Sequence, residues 1–290
     1  MKINIFSQTD VGKERANNED AFAYCLDASN PQWDISCAKG ELVTVGSLGA
    51  ISIVADGMGG ANAGEVASGL AISTFREVFQ DRTLLPTLKS DSDIHAFLTS
   101  TIEKVNEAIL RHLDIDPDAY GLGTTIVVAW ILKEKVYVAW CGDSRCYRFN
   151  PNSGLELLTK DHSYVQELID QKEIKKEEAL NHPDGHLITR CLGDVDASSV
   201  PEIRVFDIHD GDMFLLCSDG LCGYCSDSII EHLLYQTYKE IDVCCNKLVN
   251  LALDSGGYDN VTVSIVSTLP DRAVEPLLSW RGKIRKWLHR

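Results

Sequence analysis

The sequence predicts an α+β domain built in layers, not a doubly wound parallel sheet. Strand-like runs come in hairpin-like groups, helical patterns come in pairs, and the two do not alternate along the chain. In the first third, "INIFSQ", "AFAYCL", "LVTV" and "ISIVAD" are short, rich in β-branched and aromatic residues, and read as strands. The period then changes. Over 62–80 and again over 94–113 apolar residues recur every three or four positions, the second series being Ile94, Phe97, Leu98, Ile102, Val105, Ile109 and Leu113. These are two amphipathic helices.

Strands resume at 124–132 and 136–140, joined by the polar "KEK" as a hairpin. Three more are expected at 203–208, 213–217 and 261–266, with helices at 226–235 and 241–253. Residues 160–190 contain the polar, helix-like "DHSYVQELIDQKEIKKEEALNHPDGH", which is either a flap inserted over a site or a plain surface excursion. No internal repeat or low-complexity linker divides the 290 residues, and an apolar fraction of 44% supplies a core of that size.

Lys and Arg number 27 against 43 Asp and Glu, a net charge of -16. That balance disfavours non-specific nucleic-acid binding and leaves the chain able to recruit divalent cations. The tail runs the other way: Arg272, Arg281, Lys283, Arg285, Lys286 and Arg290 oppose Asp271 and Glu275, so 271–290 carry +4 and the rest -20. Leu277, Trp280, Ile284, Trp287 and Leu288 share one helical face there. Residues 269–290 thus read as a basic amphipathic end, for an acidic partner, a membrane surface or the chain's own domain, with Gly282 weakening the helix.

No apolar run approaches the roughly 20 residues of a membrane span, and polar "SQTD" follows "INIF" too soon for a signal peptide, so a cytoplasmic protein is expected. Several of the ten cysteines, among them Cys25, Cys141, Cys217, Cys244 and Cys245, stand in apolar strand-like or helical runs and are expected as buried free thiols. Cys222 and Cys225 form a C-x-x-C without a second pair at zinc-site spacing, which makes a metal or redox role the weaker reading.

One pattern recurs. In "ISIVADGMGG" an apolar strand ends on Asp56 and runs at once into Gly57, Gly59 and Gly60; "MFLLCSDG" sets Asp219 before Gly220, and "VYVAWCGDSR" places Asp143 in the same way. "GGYDNVTVSIV" puts Asp259 and Asn260 just before a strand, and "ERANNEDAFAY" does so with Glu19 and Asp20. One Asp-Gly alone is an ordinary turn. Acids at the ends of several core strands can converge, and such a cluster in a low-dielectric cleft repels itself unless cations neutralise it. Oxygen-only donors, the Gly57 carbonyl included, suit hard ions, Mg²⁺ or Mn²⁺, better than zinc.

Taken in order, "TDVGKERANNEDA", "VADGMGGANAGEVAS", "GLGTTIVVAW", "CGDSR", "ITRCLG", "LLCSDGL" and "GGYDNVTVSIV" resemble the metal-dependent type 2C protein phosphatases, the PPM family, in their bacterial form. The likeness spans about residues 10–266, within a phosphatase domain of 1–268. It implies a central β-sandwich of two antiparallel sheets flanked by helices, and hydrolysis of phosphoserine and phosphothreonine in proteins that a serine/threonine kinase has modified. It implies two Mn²⁺ or Mg²⁺ ions: Asp56 bridging both, Asp219 and Asp259 completing the first, the Gly57 carbonyl holding the second. In bacterial members Asp143 with Asp219 holds a third, weaker ion. Glu19 and Asp20 match outer-shell residues, Arg15 the arginine that grips the substrate phosphate, and Asn260 and Thr124 supporting polar groups, Asn260 on the phosphate side. The reaction implied is in-line attack on phosphorus by a hydroxide bridging the two ions, without a covalent intermediate. Residues 160–190 would be the flap that varies substrate choice. Met58 stands where many eukaryotic members carry a histidine able to act as general acid, so the proton donor is left open.

Other phosphate chemistries lack their signatures. No cysteine is followed by an arginine at the spacing of a thiol phosphatase, no G-x-x-x-x-G-K-[ST] occurs, and the kinase motifs are missing. The remaining alternative is a non-catalytic phosphoprotein-binding module of the same fold, whose mark would be a lost metal acid. Asp56, Asp219 and Asp259 are all present.

Overall fold

The computed structural model describes residues 1–36, 42–59, 63–81, 88–116, 121–179 and 182–269. It begins with strands β1 (Lys2–Asp10), β2 (Asp20–Cys25), β3 (Trp33–Asp34), β4 (Val43–Thr44) and β5 (Ala50–Met58), then helices α1 (Ala63–Gln80) and α2 (Asp91–Ile115). Strands β6 (Gly123–Thr124), β7 (Ile126–Leu132), β8 (Lys135–Cys141), β9 (Arg145–Asn150) and β10 (Gly154–Leu157) follow, and after them the short helices α3 (Tyr164–Asp170) and α4 (Lys176–Ala179). The last part holds β11 (Glu202–Asp207), β12 (Met213–Cys217), α5 (Asp219–Cys222), α6 (Asp227–Thr237), α7 (Ile241–Asp254) and β13 (Val261–Leu269).

One sheet runs β10-β9-β12-β13-β1-β4; the other runs β11-β8-β7-β5-β2-β3, with β6 on the far end of β5. The paired strands are antiparallel throughout. Ile3, Ile5, Val54, Val127, Trp140, Phe214 and Leu216 fill the space between the sheets. On one outer face Phe75, Phe79, Leu98 and Ile102 close over Ile51, Ile53, Val128 and Trp130. On the other, Ile230, Leu234, Leu248 and Val249 cover Leu215, Val263 and Ile265. The result is the helix-sheet-sheet-helix sandwich that the resemblance implied. Strand β5 shows why its sequence is almost continuously apolar: Ile51 and Ile53 face the helices and Val54 faces the opposite sheet, so neither side meets water.

Local chemistry sets the element ends. Ser90 caps α2 in a capping box with Asp93, satisfying free N–H groups of the first turn. The β7–β8 hairpin turns on Lys133 and Glu134 alone, with Lys133 at φ 59°, so Lys135 of the "KEK" loop already belongs to β8. Between the sheets Ser7 donates to Ser264 Oγ at 2.7 Å, and Ser264 and Ser52 share a second bond of 2.7 Å. Three buried hydroxyls thus satisfy one another across the sandwich.

Besides the two-residue β3, strands β9 and β10 lie outside the sequence expectations. In β9, "RCYRFN", Arg145 and Arg148 break the apolar alternation, and β10 is half-exposed. Arg145 sits in the sheet because Asp161 receives it through two nitrogens, at 2.9 Å from Nε and 2.7 Å from Nη2. "LVTV" shrinks to the two residues of β4. The nine described cysteines are buried and free, Cys222 and Cys225 included; Cys37 and residues 270–290, with the basic tail, lie outside the described residues.

Candidate active site

The two sheets deliver acids to one end of the sandwich. In antiparallel β2 and β5 the first residue of one faces the end of the other, and Asp20 stands opposite Asp56. Asp219 follows β12 by two residues, Asp259 precedes the neighbouring β13 by two, and Asp143 follows β8 by two. Side chains tie the sheets together here: Ser218 donates to Asp20 Oδ2 at 2.7 Å, and Asn260 Oδ1 accepts from the Glu19 N–H at 2.7 Å.

Crowding shows in the protonation of these acids. Burial, then repulsion from Asp20, Asp219 and Asp143, holds the Asp56 carboxyl well above the usual carboxylate range, and it hydrogen-bonds Asp219. Burial and the charges of Asp219 and Asp161 push Asp143 the same way. Burial raises Asp20 to about 7 against the hydrogen bonds of Thr262 and Ser218, and Asp219 to about 6, with Asp259 adding to both. Burial also raises Glu19, against the pull of Arg15. Each is still partly open to solvent at the cleft while protein encloses its other sides.

Arg15 reaches in from the 11–19 loop and donates from Nη2 to Asp259 Oδ2 at 2.8 Å, with half of its side chain open to solvent. Asn260, expected on the phosphate side, has its amide engaged within the fold. Its Nδ2 donates to the carbonyls of Val11 and Asn17, both at 2.9 Å, so both N–H groups are taken up in fixing the loop that carries Arg15. Thr124 donates from Oγ1 to the Asp56 carbonyl at 2.8 Å. Gly57 has no room for a side chain: a Cβ would lie 2.1 Å from the Gly64 carbonyl oxygen and 2.5 Å from that of Glu19. Met58 pairs with Gly123 on β6 and carries no exchangeable proton.

Sequence reasoning missed the hydroxyl shell behind these acids. The Thr125 N–H donates to the Asp56 carbonyl at 2.9 Å, its Oγ1 accepts from the Asp56 N–H at 3.2 Å, and it bonds Ser144 at 2.7 Å. Ser218 Oγ accepts from the Thr262 N–H at 2.9 Å while donating to Asp20. Ser218→Ala would leave Asp20 Oδ2 and the Thr262 N–H without this partner, and is expected to lower unfolding free energy by about 1–3 kcal/mol in urea titration. No change would show that water replaces the hydroxyl.

The donor set fits hard divalent cations. The side chains that converge offer oxygen, Asp20 Oδ1 is buried without a hydrogen-bond partner, and the carboxyls raise one another's pKa, as uncompensated ligands do. Among the described residues no trio of side chains is already drawn in around one point, which agrees with acids that repel one another and with Arg15 engaging Asp259.

The ends of the 160–190 segment are pinned beside this cluster. The Trp140 Nε1–H donates to the Lys160 carbonyl at 2.8 Å, His162 Nδ1 accepts from the Gly142 N–H at 3.1 Å, and Thr124 and Leu192 exchange two backbone bonds of 2.9 Å. Burial, then the charge of Arg190, keeps His162 neutral, in keeping with that acceptor role. Helices α3 and α4 lie between the pinned ends.

The family model described as protein phosphatase 2C matches residues 38–248. The chain belongs to the protein phosphatase 2C family. A serine/threonine phosphatase, stp, of Listeria monocytogenes is 37% identical over 216 residues, 74% of this chain and 83% of that protein. The serine/threonine protein phosphatase PstP of Mycobacterium tuberculosis is 33% identical over 269 residues, 93% of this chain and 46% of that longer protein. The crystal structure of the PstP catalytic domain, in complex with two manganese ions, superposes with a TM-score of 0.73 at 32% identity, covering 93% of this chain and 99% of that one.

Proposed function

We propose that this chain hydrolyses phosphoserine and phosphothreonine in proteins, with two divalent cations held by the acids at the end of the sandwich. The observation that carries this reading is the placement of Asp56, Asp219, Asp143, Asp20 and Asp259 at one end of the sandwich beside Arg15, together with the family match. Asp56, the Gly57 carbonyl, Asp219 and Asp259 would hold the two ions, and Asp143 with Asp219 a third. Two Mn²⁺ or Mg²⁺ ions would supply an acidified water as nucleophile and positive charge for the phosphoryl oxygens.

The chain's own groups do the rest. Arg15 offers a fork of N–H donors that matches two phosphate oxygens, and Asn260 fixes the loop on which it rides. Thr124 and Thr125 lock the Asp56 backbone from both sides, so its carboxyl is aimed before substrate arrives. Glu19 and Asp20 stand behind as proton and water-orienting groups. Met58 holds no proton, so the leaving oxygen takes its proton from water or another acid of the cleft. No described helix is long and apolar enough to cross a membrane. The nine free thiols suit a reducing compartment, which supports a cytoplasmic enzyme in kinase signalling.

The test is phosphate release from a phosphothreonine peptide, with Mn²⁺ and after chelation. Release that chelator stops and Mn²⁺ restores is expected. A folded protein that binds the peptide but releases nothing under either ion would support the phosphoprotein-binding module.

A further inference from the structure

Beside the 11–19 loop that carries Arg15, two tyrosines meet outside the acid cluster. Tyr224 follows α5 and Tyr258 precedes Asp259; their ring centroids are 5.5 Å apart at 40°. They are 40% and 55% exposed. Burial and then the charges of Asp219 and Asp259 raise the Tyr224 hydroxyl pKa, so the ring lies within reach of the acid cluster's field.

The seat beneath them is tightly packed. A Cβ on Gly256, at φ 130°, would lie 2.1 Å from Tyr258 Cε2, so only a bare glycine lets that ring lie where it does. The Lys13 N–H donates to the Gly257 carbonyl at 2.7 Å, and Lys13 Nζ donates to the Leu253 carbonyl at 2.6 Å. A Cβ on Gly12, at φ 80°, would lie 2.3 Å from the Asp259 carbonyl oxygen. The Arg15 loop and the Tyr258 loop therefore form one packed unit, and the distance from the arginine to the aromatic pair is set by the fold.

We propose that Tyr224 and Tyr258 form a docking platform for a basic side chain of the phosphoprotein substrate, close in sequence to its phosphorylated residue. This rests on the phosphatase reading above. An aromatic face attracts an ammonium or guanidinium within about 6 Å of its centre. The chain's net charge of -16 adds a field of the same sense, which favours cationic over anionic flanks. Arg15 takes the phosphate, and the tyrosines read the neighbour. The platform confers specificity and touches no reacting atom.

The experiment compares two phosphothreonine peptides, one with arginines flanking the phosphoresidue and one with alanines, under Mn²⁺, with p-nitrophenyl phosphate as a substrate lacking any flank. The wild-type enzyme is expected to favour the arginine peptide by about fivefold in kcat/KM, mostly through KM. The Tyr224→Leu/Tyr258→Leu double variant, which keeps apolar bulk and loses the π faces, is expected to lose that preference, and the double Tyr→Phe variant to keep it. Equal kcat/KM for the two peptides with wild-type enzyme, or a preference that survives both leucines, would overturn the platform. If that happens while p-nitrophenyl phosphate is hydrolysed, the platform alone is wrong. If no phosphoester is hydrolysed at all, the phosphatase reading falls and takes the platform with it.

Discussion

Asp56→Asn is expected to lower kcat on a phosphothreonine peptide by about a thousandfold or more, a loss of roughly 4 kcal/mol in transition-state stabilisation. Asp56 is the acid on which the others converge: Asp20 pairs opposite it, Asp219 hydrogen-bonds it, and Asp143 raises it. An amide keeps the shape and one acceptor oxygen but removes the negative charge that would bridge two cations. Because the carboxyl is already held protonated by burial and then by its acidic neighbours, the neutral amide replaces it in the metal-free fold at little cost. Circular dichroism and Tm of the metal-free variant should therefore match or exceed the wild type. Retention of a tenth or more of wild-type kcat would remove Asp56 from the centre of the chemistry.

The second large effect is on stability against pH. Burial and mutual repulsion put Asp20 at about 7 and Asp219 at about 6, with Asp56 and Asp143 also raised. In the unfolded chain these groups return to about 4. The folded, metal-free protein thus binds protons that the unfolded chain releases, so stability is full below about pH 4 and is lost as pH rises through 6 and 7. His162, held neutral by burial, works in the opposite direction over this range, but it is one group against the five raised acids, Glu19 included. In chelator, Tm is expected to fall between pH 5 and pH 8, on the order of 5 °C or more. Mn²⁺ should reverse the fall at pH 8, because a cation replaces the protons and its binding free energy becomes folding free energy. A metal-free Tm that is flat or rises over this range would contradict the repulsion assigned to these acids.

Long, regular periods were the legible part of the fold. The buried alternation of β5 and the apolar stripe of α2 each follow from one physical rule, and the structure reproduces both. Strand β9 was hidden because Arg145 reads as a surface residue until Asp161, sixteen positions away, neutralises it. Asp56, Asp219 and Asp143 stood out because an acid after an apolar strand is unusual and repeats. Thr125, Ser144 and Ser218 did not, because a hydroxyl residue in or beside a strand is ordinary until its partner is known. Asn260 stands in the same sequence pattern, yet its amide turns to the 11–19 loop, a contact across more than 240 residues of sequence that spacing alone does not reveal.

The most direct measurement is a single Mn²⁺ titration of the metal-stripped protein in which bound manganese and phosphate release are followed together, for the wild type and for Asp56→Asn. Two ions per chain, bound over the range in which activity rises, with both lost in the variant, is the expected result. Full activity without bound metal, or two ions still bound by Asp56→Asn with undiminished turnover, would contradict a reaction run by cations at the strand-end acids.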